Sequence, residues 1–453
     1  MKQLVVLFCL LIAYSIWTYG LTDPNLVLIN WEPYWQFQLW MWQTLFHNRP
    51  LQTATYILLI SLLFIIYASC IWALKKSHIA LTTFRQAIIA FGVYCVVISP
   101  LFISYNALSH DVFNYMFNAR MVLEYQANPH KQVALDFAFD PWTRFMHNTH
   151  TTAPYWYGWT GLSLLPYSLG FGKFLLTLVN FRIFSLLSLL LLGVIYWLWQ
   201  KERGQPLSVW QAAIFFLNPL VLIEIVSNDH NDLWMIIPAA YAFLLLLQKP
   251  RAKWVTLMSL VSLLFSASTK YATILLFPVW LVVVKLSSFV QSSSSQSHSV
   301  TAVFSHILKR FNSIVLKQVW SYLEIILPWI LSFLLFIPLM TSRSRWFLPW
   351  YLTWSLSLLP LLAGSIWISD LPKLSNPLLT SIKKLATLWG KRWLFWLLAL
   401  SVSSLYRYVP WIWSGEYSPL ITQYEIAITW LGGAFIFGFL CLIDQFRAKY
   451  TNR

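Results

Sequence analysis

The run Ser109-His110-Asp111-Val112-Phe113-Asn114-Tyr115 interrupts a chain built largely of apolar segments. Hydrophobic sequence stops at Ala107 and resumes near Leu175, so this run opens the longest polar stretch, reaching about Gly158. On either side, apolar runs of roughly 20 residues recur, the length needed to cross a bilayer. Of 453 residues, 58% are hydrophobic and 10% charged, with a mean hydropathy of +0.63. A soluble chain carries about a quarter charged residues. The pattern therefore predicts an all-α integral membrane protein. The short alternating segments of a β-barrel do not occur.

The net charge of +16 does not point to nucleic acid. The positive residues sit mainly in short loops between apolar runs, where they read as topology signals. No base-stacking pattern accompanies them. Cys9, Cys70, Cys95 and Cys441 all lie inside apolar runs and suggest no disulfide or metal pair. The segment Leu4–Tyr19 ends in bulky residues with no small-residue cleavage site, so it reads as a retained helix.

Threading the chain gives about 12 crossings with both termini cytoplasmic. Expected spans cover about 4–21, 53–74, 86–108, 174–200, 207–227, 233–248, 254–269, 271–284, 319–341, 347–369, 393–410 and 426–443. Residues 1–108 form an N-terminal membrane unit, and 109–173 an outer loop. Residues 174–284 form a central bundle, 285–318 a Ser-rich basic cytoplasmic linker, and 319–453 a C-terminal membrane unit. A basic inner loop is expected over Asp370–Arg392. Trp159–Gly172, interrupted by Pro166, reads either as a re-entrant segment or as a crossing. Of the acidic residues, Glu202, Asp370 and Asp444 fall inside; the others lean to the outer side.

Asp111 starts a helix expected over Asp111–Gln126, lying along the membrane with Asn114, Asn118 and Tyr125 on its polar side. It suits two roles, an N-cap or a general base; capping uses one oxygen and leaves the other free. Ala127-Asn128-Pro129-His130 ends this helix as a turn. The aromatic run containing Tyr155, Tyr157 and Trp159 suits an interface belt or stacking on sugars. His110, His130, His147 and His150 share the loop; His147 and His150 have a ligand-like spacing but no second pair follows, so they read as polar loop residues. A second cluster, Asn228-Asp229-His230-Asn231-Asp232, follows Asn218-Pro219 and Glu224. Glu224 lies inside an apolar run, where a carboxylate usually faces a cavity. Lys270, Arg343 and Arg345 fall on the outer side against the charge trend, and suit either a phosphate or lipid headgroups.

Taken together, Asp111 to Tyr115, Asn128-Pro129-His130 and Tyr157-Gly158 resemble the first-loop pattern of polyprenol-phosphate-mannose-dependent mannosyltransferases, members of the GT-C glycosyltransferase superfamily. Leu217-Asn218-Pro219, His230-Asn231-Asp232 and Trp350-Tyr351 extend the resemblance from about Leu108 to Ser369. Two positions depart from the pattern: His130 stands where Tyr is usual, and Trp159 where Pro follows Tyr-Gly. The resemblance implies a transferase moving a hexose, mannose by analogy, from a polyprenyl-phosphate donor to a glycan or glycolipid acceptor at the outer face of a plasma membrane. It makes Asp111 the general base. Asn114, Tyr115, Asn128, His130, Tyr155, Tyr157, Asp229, His230 and Asp232 would contact substrate. Lys270, Arg343 and Arg345 would hold the donor phosphate. It implies no cofactor or metal. The alternative is a transporter or flippase of lipid-linked sugars, which calls for ionisable residues at mid-membrane and related halves. A polymerase or ligase of lipid-linked glycans is a further rival.

Overall fold

The computed structural model describes residues 2–248, 252–292, 320, 323–341, 347–366 and 377–451. Among them it is helical almost throughout; the one strand pair, Ala80–Leu81 with Leu207–Ser208, is two residues long. Helix α1 (Lys2–Thr18) is followed by α2 (Glu32–Met41), a short helix not expected from the sequence, and by α3 (Arg49–Ser77) and α4 (Phe84–Ile98). The polar stretch contributes α5 (Asp111–Glu124) and α6 (Tyr157–Ser168), joined by two short 3-10 turns. Then come α7 (Phe174–Glu202), α8 (Val209–Phe216), α9 (Pro219–Val221, continued as a π-helix Leu222–Ser227), α10 (Leu233–Leu247), α11 (Lys253–Thr269) and α12 (Phe277–Ser292). Beyond these lie α13 (Leu323–Met340), α14 (Leu352–Leu356), α15 (Leu359–Ile366), α16 (Pro377–Tyr406), α17 (Val409–Ser414), α18 (Pro419–Ala427) and α19 (Gly433–Thr451).

Among the described residues, seven helices are long and apolar enough to cross a membrane, and eight if the bent pair α8–α9 counts as one span. Two shorter apolar helices, Leu233–Leu247 and Trp254–Thr269, accompany them. Only 11% of the apolar stretch in Pro419–Arg447 is buried, and 22% of that in Arg49–Ser77. Lipid is the natural cover for such surfaces. Three expected elements differ. The span at 347–369 is broken into Leu352–Leu356 and Leu359–Ile366. The basic loop is helical from Pro377, because α16 runs unbroken to Tyr406. Helix α12 continues past Lys285 to Ser292, and residues 293–318 of the expected linker lie outside the described residues.

Local chemistry sets the ends that matter. Thr83 and Gln86 form a reciprocal capping box at the start of α4. Asn218 ends α8, accepts the Leu220 amide at 3.0 Å, and hands over to Pro219, which has no N–H to give. The result is a 50° bend that lets Leu222–Ser227 carry Glu224 into the bundle. At the other wall, Gly158 lies against the end of α11: a Cβ there would come within 2.6 Å of the Ser268 carbonyl group. The Trp156 amide bonds to Thr269 O in the same contact.

One buried arginine ties these pieces together. Arg182 of α7 donates to the carbonyls of Phe102 and Ser104, the latter at 2.5 Å, and to Asn106 Oδ1 at 3.0 Å. Its Nε lies 3.4 Å from Asp229, whose carboxylate also accepts from Asn106 Nδ2 at 2.9 Å. Asp229 holds a left-handed backbone (φ +58°), which an Asp tolerates better than most residues. Burial pushes its carboxyl up to about 6, while Arg182 pulls the other way.

Two outcomes follow from these contacts. Gly158→Ala forces α6 from α11 and is expected to cost about 1–3 kcal/mol, an overpacking effect; thermal unfolding in detergent reads it. Arg182→Met leaves Asp229 unpaired, at a cost of about 3–5 kcal/mol. A carboxyl raised in the folded protein weakens the fold as pH climbs from the unfolded value through about 6, and that penalty vanishes in acid. The Tm gap between Arg182→Met and wild type should therefore be narrower at pH 5 than at pH 8.

Candidate active site

Helix α5, expected to lie along the membrane with a polar side, is packed against α6 and α7, and Val112, Phe113, Asn114, Tyr115, Met116 and Phe117 are all buried. Arg120 leaves it to pair with Asp140 at 2.5 Å and to bond Tyr167 at 3.0 Å, which fastens the loop between the two 3-10 turns to α6.

Asp111 is the first residue of α5, and His110 occupies the cap position without a side-chain capping bond. The capping role is thus not the one its carboxylate fills, although the helix start still favours its charge. Oδ2 accepts the Tyr155 hydroxyl at 2.8 Å and lies 3.5 Å from the Tyr115 hydroxyl. The two hydroxyls are 3.3 Å apart. Burial, and then the Asp111 charge, raise both phenols well above their ordinary range, so they remain neutral donors. Oδ1 has no protein partner among the described residues, and the side chain is 17% exposed.

Asp111 lines a cavity of about 600 Å³ together with Asn114, His147, Trp350, Arg407 and Glu425. Arg407, in the turn between α16 and α17, is 4% exposed. Its Nη2 pairs with Glu425 at 3.0 Å, and its buried Nη1 has no hydrogen-bond partner. Neither residue stood out in the sequence, since each looks like a lone charge near a helix end. A second cavity, among α1, α4, α7 and α8, is walled by Leu, Ile, Val, Phe and Ala side chains with Tyr94, and offers no ionisable pair for proton chemistry.

The other expected site residues fall into three groups. His230 touches Asp111 from below, with Nδ1 3.7 Å from Oδ2, and its ring stacks on Trp350 at 3.8 Å. Asp232 accepts from Lys270 Nζ at 2.7 Å and from Trp354 Nε1; Lys270 also lies 4.9 Å above the Tyr155 ring. Lys270 and Asp229 therefore already have buried counter-charges. Asn128 and His130 hold the loop together instead of lining the cavity. Asn128 Oδ1 takes the His130 amide at 2.9 Å, and His130 Nε2 meets Thr160 Oγ1 at 2.9 Å. The His130 ring packs 4.1 Å from that of Tyr157, and burial lowers its basicity. Arg343 and Arg345 lie outside the described residues.

His110 and His147 stack at 3.8 Å. Burial lowers both, His110 to about 3, so they are neutral rings beside the cavity. Among the described residues, no three His, Cys, Asp or Glu side chains are grouped to hold a metal ion.

No curated protein and no solved structure matches the chain. Residues 10–286, more than half of it, match the model of the MptA_B family, described as alpha-(1->6)-mannopyranosyltransferase, N-terminal domain. The match includes Asp111, Tyr115, Tyr155, Glu224, His230 and Lys270; Trp350 and Arg407 lie beyond it. The chain belongs to this family, and is a membrane-embedded mannosyltransferase of the GT-C type.

Proposed function

We propose that the protein transfers a mannosyl group from a polyprenyl-phosphate donor to a hydroxyl of a glycan or glycolipid acceptor, with Asp111 as general base. The observation that carries this reading is the Asp111 carboxylate. One oxygen is held by two tyrosines and, among the described residues, the other has no partner, in a cavity that also contains a buried arginine with a donor these residues leave unused.

In the step, Asp111 Oδ1 takes the acceptor hydroxyl proton as that oxygen bonds to the anomeric carbon. The bond from that carbon to the donor phosphate breaks, and its electron pair leaves on the phosphate oxygen. The leaving group is a stable anion, so no general acid is required. Arg407 Nη1 is a cationic donor in the cavity's lining without a partner among the described residues, and it stabilises the phosphate as its charge grows. Glu425 keeps the guanidinium in place at 3.0 Å. Trp350 and Trp411 add flat apolar faces suited to a sugar ring. The lipid tail would lie along the apolar helices, and the positive loops favour a site on the outer face of the plasma membrane.

Transfer of radiolabelled mannose from synthetic polyprenyl-phosphate mannose in proteoliposomes tests the reading. Asp111→Asn should lower kcat by about 10²–10⁴-fold, the usual worth of a general base. Full activity in that variant would remove Asp111 from the chemistry. Arg407→Gln should weaken use of the donor by roughly tenfold or more, with Arg407→Lys between it and wild type, because lysine lacks the planar pair of donors. Equal rates with a nucleotide-linked mannose would overturn the lipid donor.

A further inference from the structure

His230 has one face on the proposed base and another on a carboxylate that the transfer step does not use. It is 1% exposed. Nδ1 lies 3.7 Å from Asp111 Oδ2 and Nε2 lies 3.3 Å from Glu224 Oε2; both are ion-pair distances, and neither ring nitrogen makes a hydrogen bond among the described residues. Glu224 is fully buried. It accepts from the Tyr408 hydroxyl at 2.9 Å and from Asn228 Nδ2 at 3.1 Å. The His230 amide bonds back to Glu224 O at 3.1 Å, and stacking on Trp350 fixes the ring plane.

A buried carboxylate is costly unless a cation meets it. Among the described residues, His230 is the ionisable nitrogen within 4 Å of Glu224. A neutral imidazole donates from one nitrogen and turns a lone pair toward the other carboxylate; only a ring with hydrogen on both nitrogens serves two. The remaining titratable groups around the pair are Tyr115, Tyr155 and His147 near Asp111, Tyr408, Tyr14 and Tyr56 near Glu224, Asp229 near His230 but paired with Arg182, and Lys270 already paired with Asp232. Each tyrosine can act as a donor, and Lys270 is neutralised.

We propose that His230 is a positioning residue, a doubly protonated bridge from Glu224 to Asp111. It keeps Asp111 charged and turns Oδ1 to the cavity. Glu224 keeps the ring charged. This rests on Asp111 being the base, so the test needs a readout that does not depend on transfer.

That readout is nitrogen NMR of ring-labelled histidine in the full chain in lipid nanodiscs. The signal missing from His230→Gln, or from His230→Asn if the first does not fold, belongs to His230. In wild type it should show hydrogen on both nitrogens, and in Glu224→Gln on one. A single N–H in wild type overturns the bridge, whether or not the protein transfers mannose. In the transfer assay, Glu224→Gln should lower kcat roughly tenfold, through loss of the ion-pair contact that supports the ring, with KM for the donor little changed. Unchanged kcat in a folded Glu224→Gln protein would also overturn it.

Discussion

A charge inside an apolar bundle must find a partner, and Arg182 is where this constraint shapes the whole site end of the molecule. The backbone after α4 leaves helical geometry at Ser104, exposing carbonyls that no helix satisfies. Arg182 takes up three oxygens there and meets Asp229 from the 228–232 turn. The arginine thus fixes the chain entering α5 relative to the chain entering α10. Asp111 and His230, which sit a few residues beyond those anchors, are brought together as a consequence. A looser junction would leave Asp111 at a helix start with no defined direction.

The same constraint sorts the ionisable groups by use. Asp229 with Arg182, Asp232 with Lys270, and Asp140 with Arg120 are ion pairs that hold loops in register. Asp111 and Arg407 are each held on one side only, by tyrosines and by Glu425 respectively. A group with one fixed face and one free face is oriented before substrate arrives, which is what a reaction in a low-dielectric pocket requires. The division places Asp229 and Asp232, two expected substrate contacts, beside buried counter-charges, while Asp229 Oδ1 and Asp232 Oδ2 have no hydrogen-bond partner among the described residues.

Much of this was legible in the sequence because hydropathy and breakers act locally. The apolar runs marked most helices within a few residues, whereas the span expected over 207–227 is bent at Asn218-Pro219, the break that carries Glu224 inward. Tyr157-Gly158 proved to be a close approach to Ser268, a physical reason for glycine that spacing cannot reveal. Helix α2 was missed because Glu32–Met41 lies between apolar runs and resembles a loop rich in tryptophan. The burial of α5 was missed because its polar residues make an amphipathic pattern, whereas their partners come from α6, α7 and the 228–232 turn. Arg407 was missed for the same reason. Its importance arises from a cavity whose walls are almost 300 residues apart in the chain, and no local pattern records that.

The family match ends at residue 286, before Trp350 and Arg407. The proposed base and the residues around it therefore lie in the matched part, while the proposed donor cation and the aromatic faces come from the later helices. These halves do different physical work. Activation of an acceptor hydroxyl needs a carboxylate at a fixed place, whatever the donor's tail or the acceptor's remaining sugars. Recognition of the donor needs shape and charge matched to one lipid phosphate. A site assembled in this way can keep its proton chemistry constant while the C-terminal wall is altered, because Asp111 depends for its orientation on Tyr115, Tyr155 and His230, all within the first half. Trp350 is the point of contact between the two halves: it stacks on His230 while lining the cavity. Whatever shifts the C-terminal wall is thereby felt by the base.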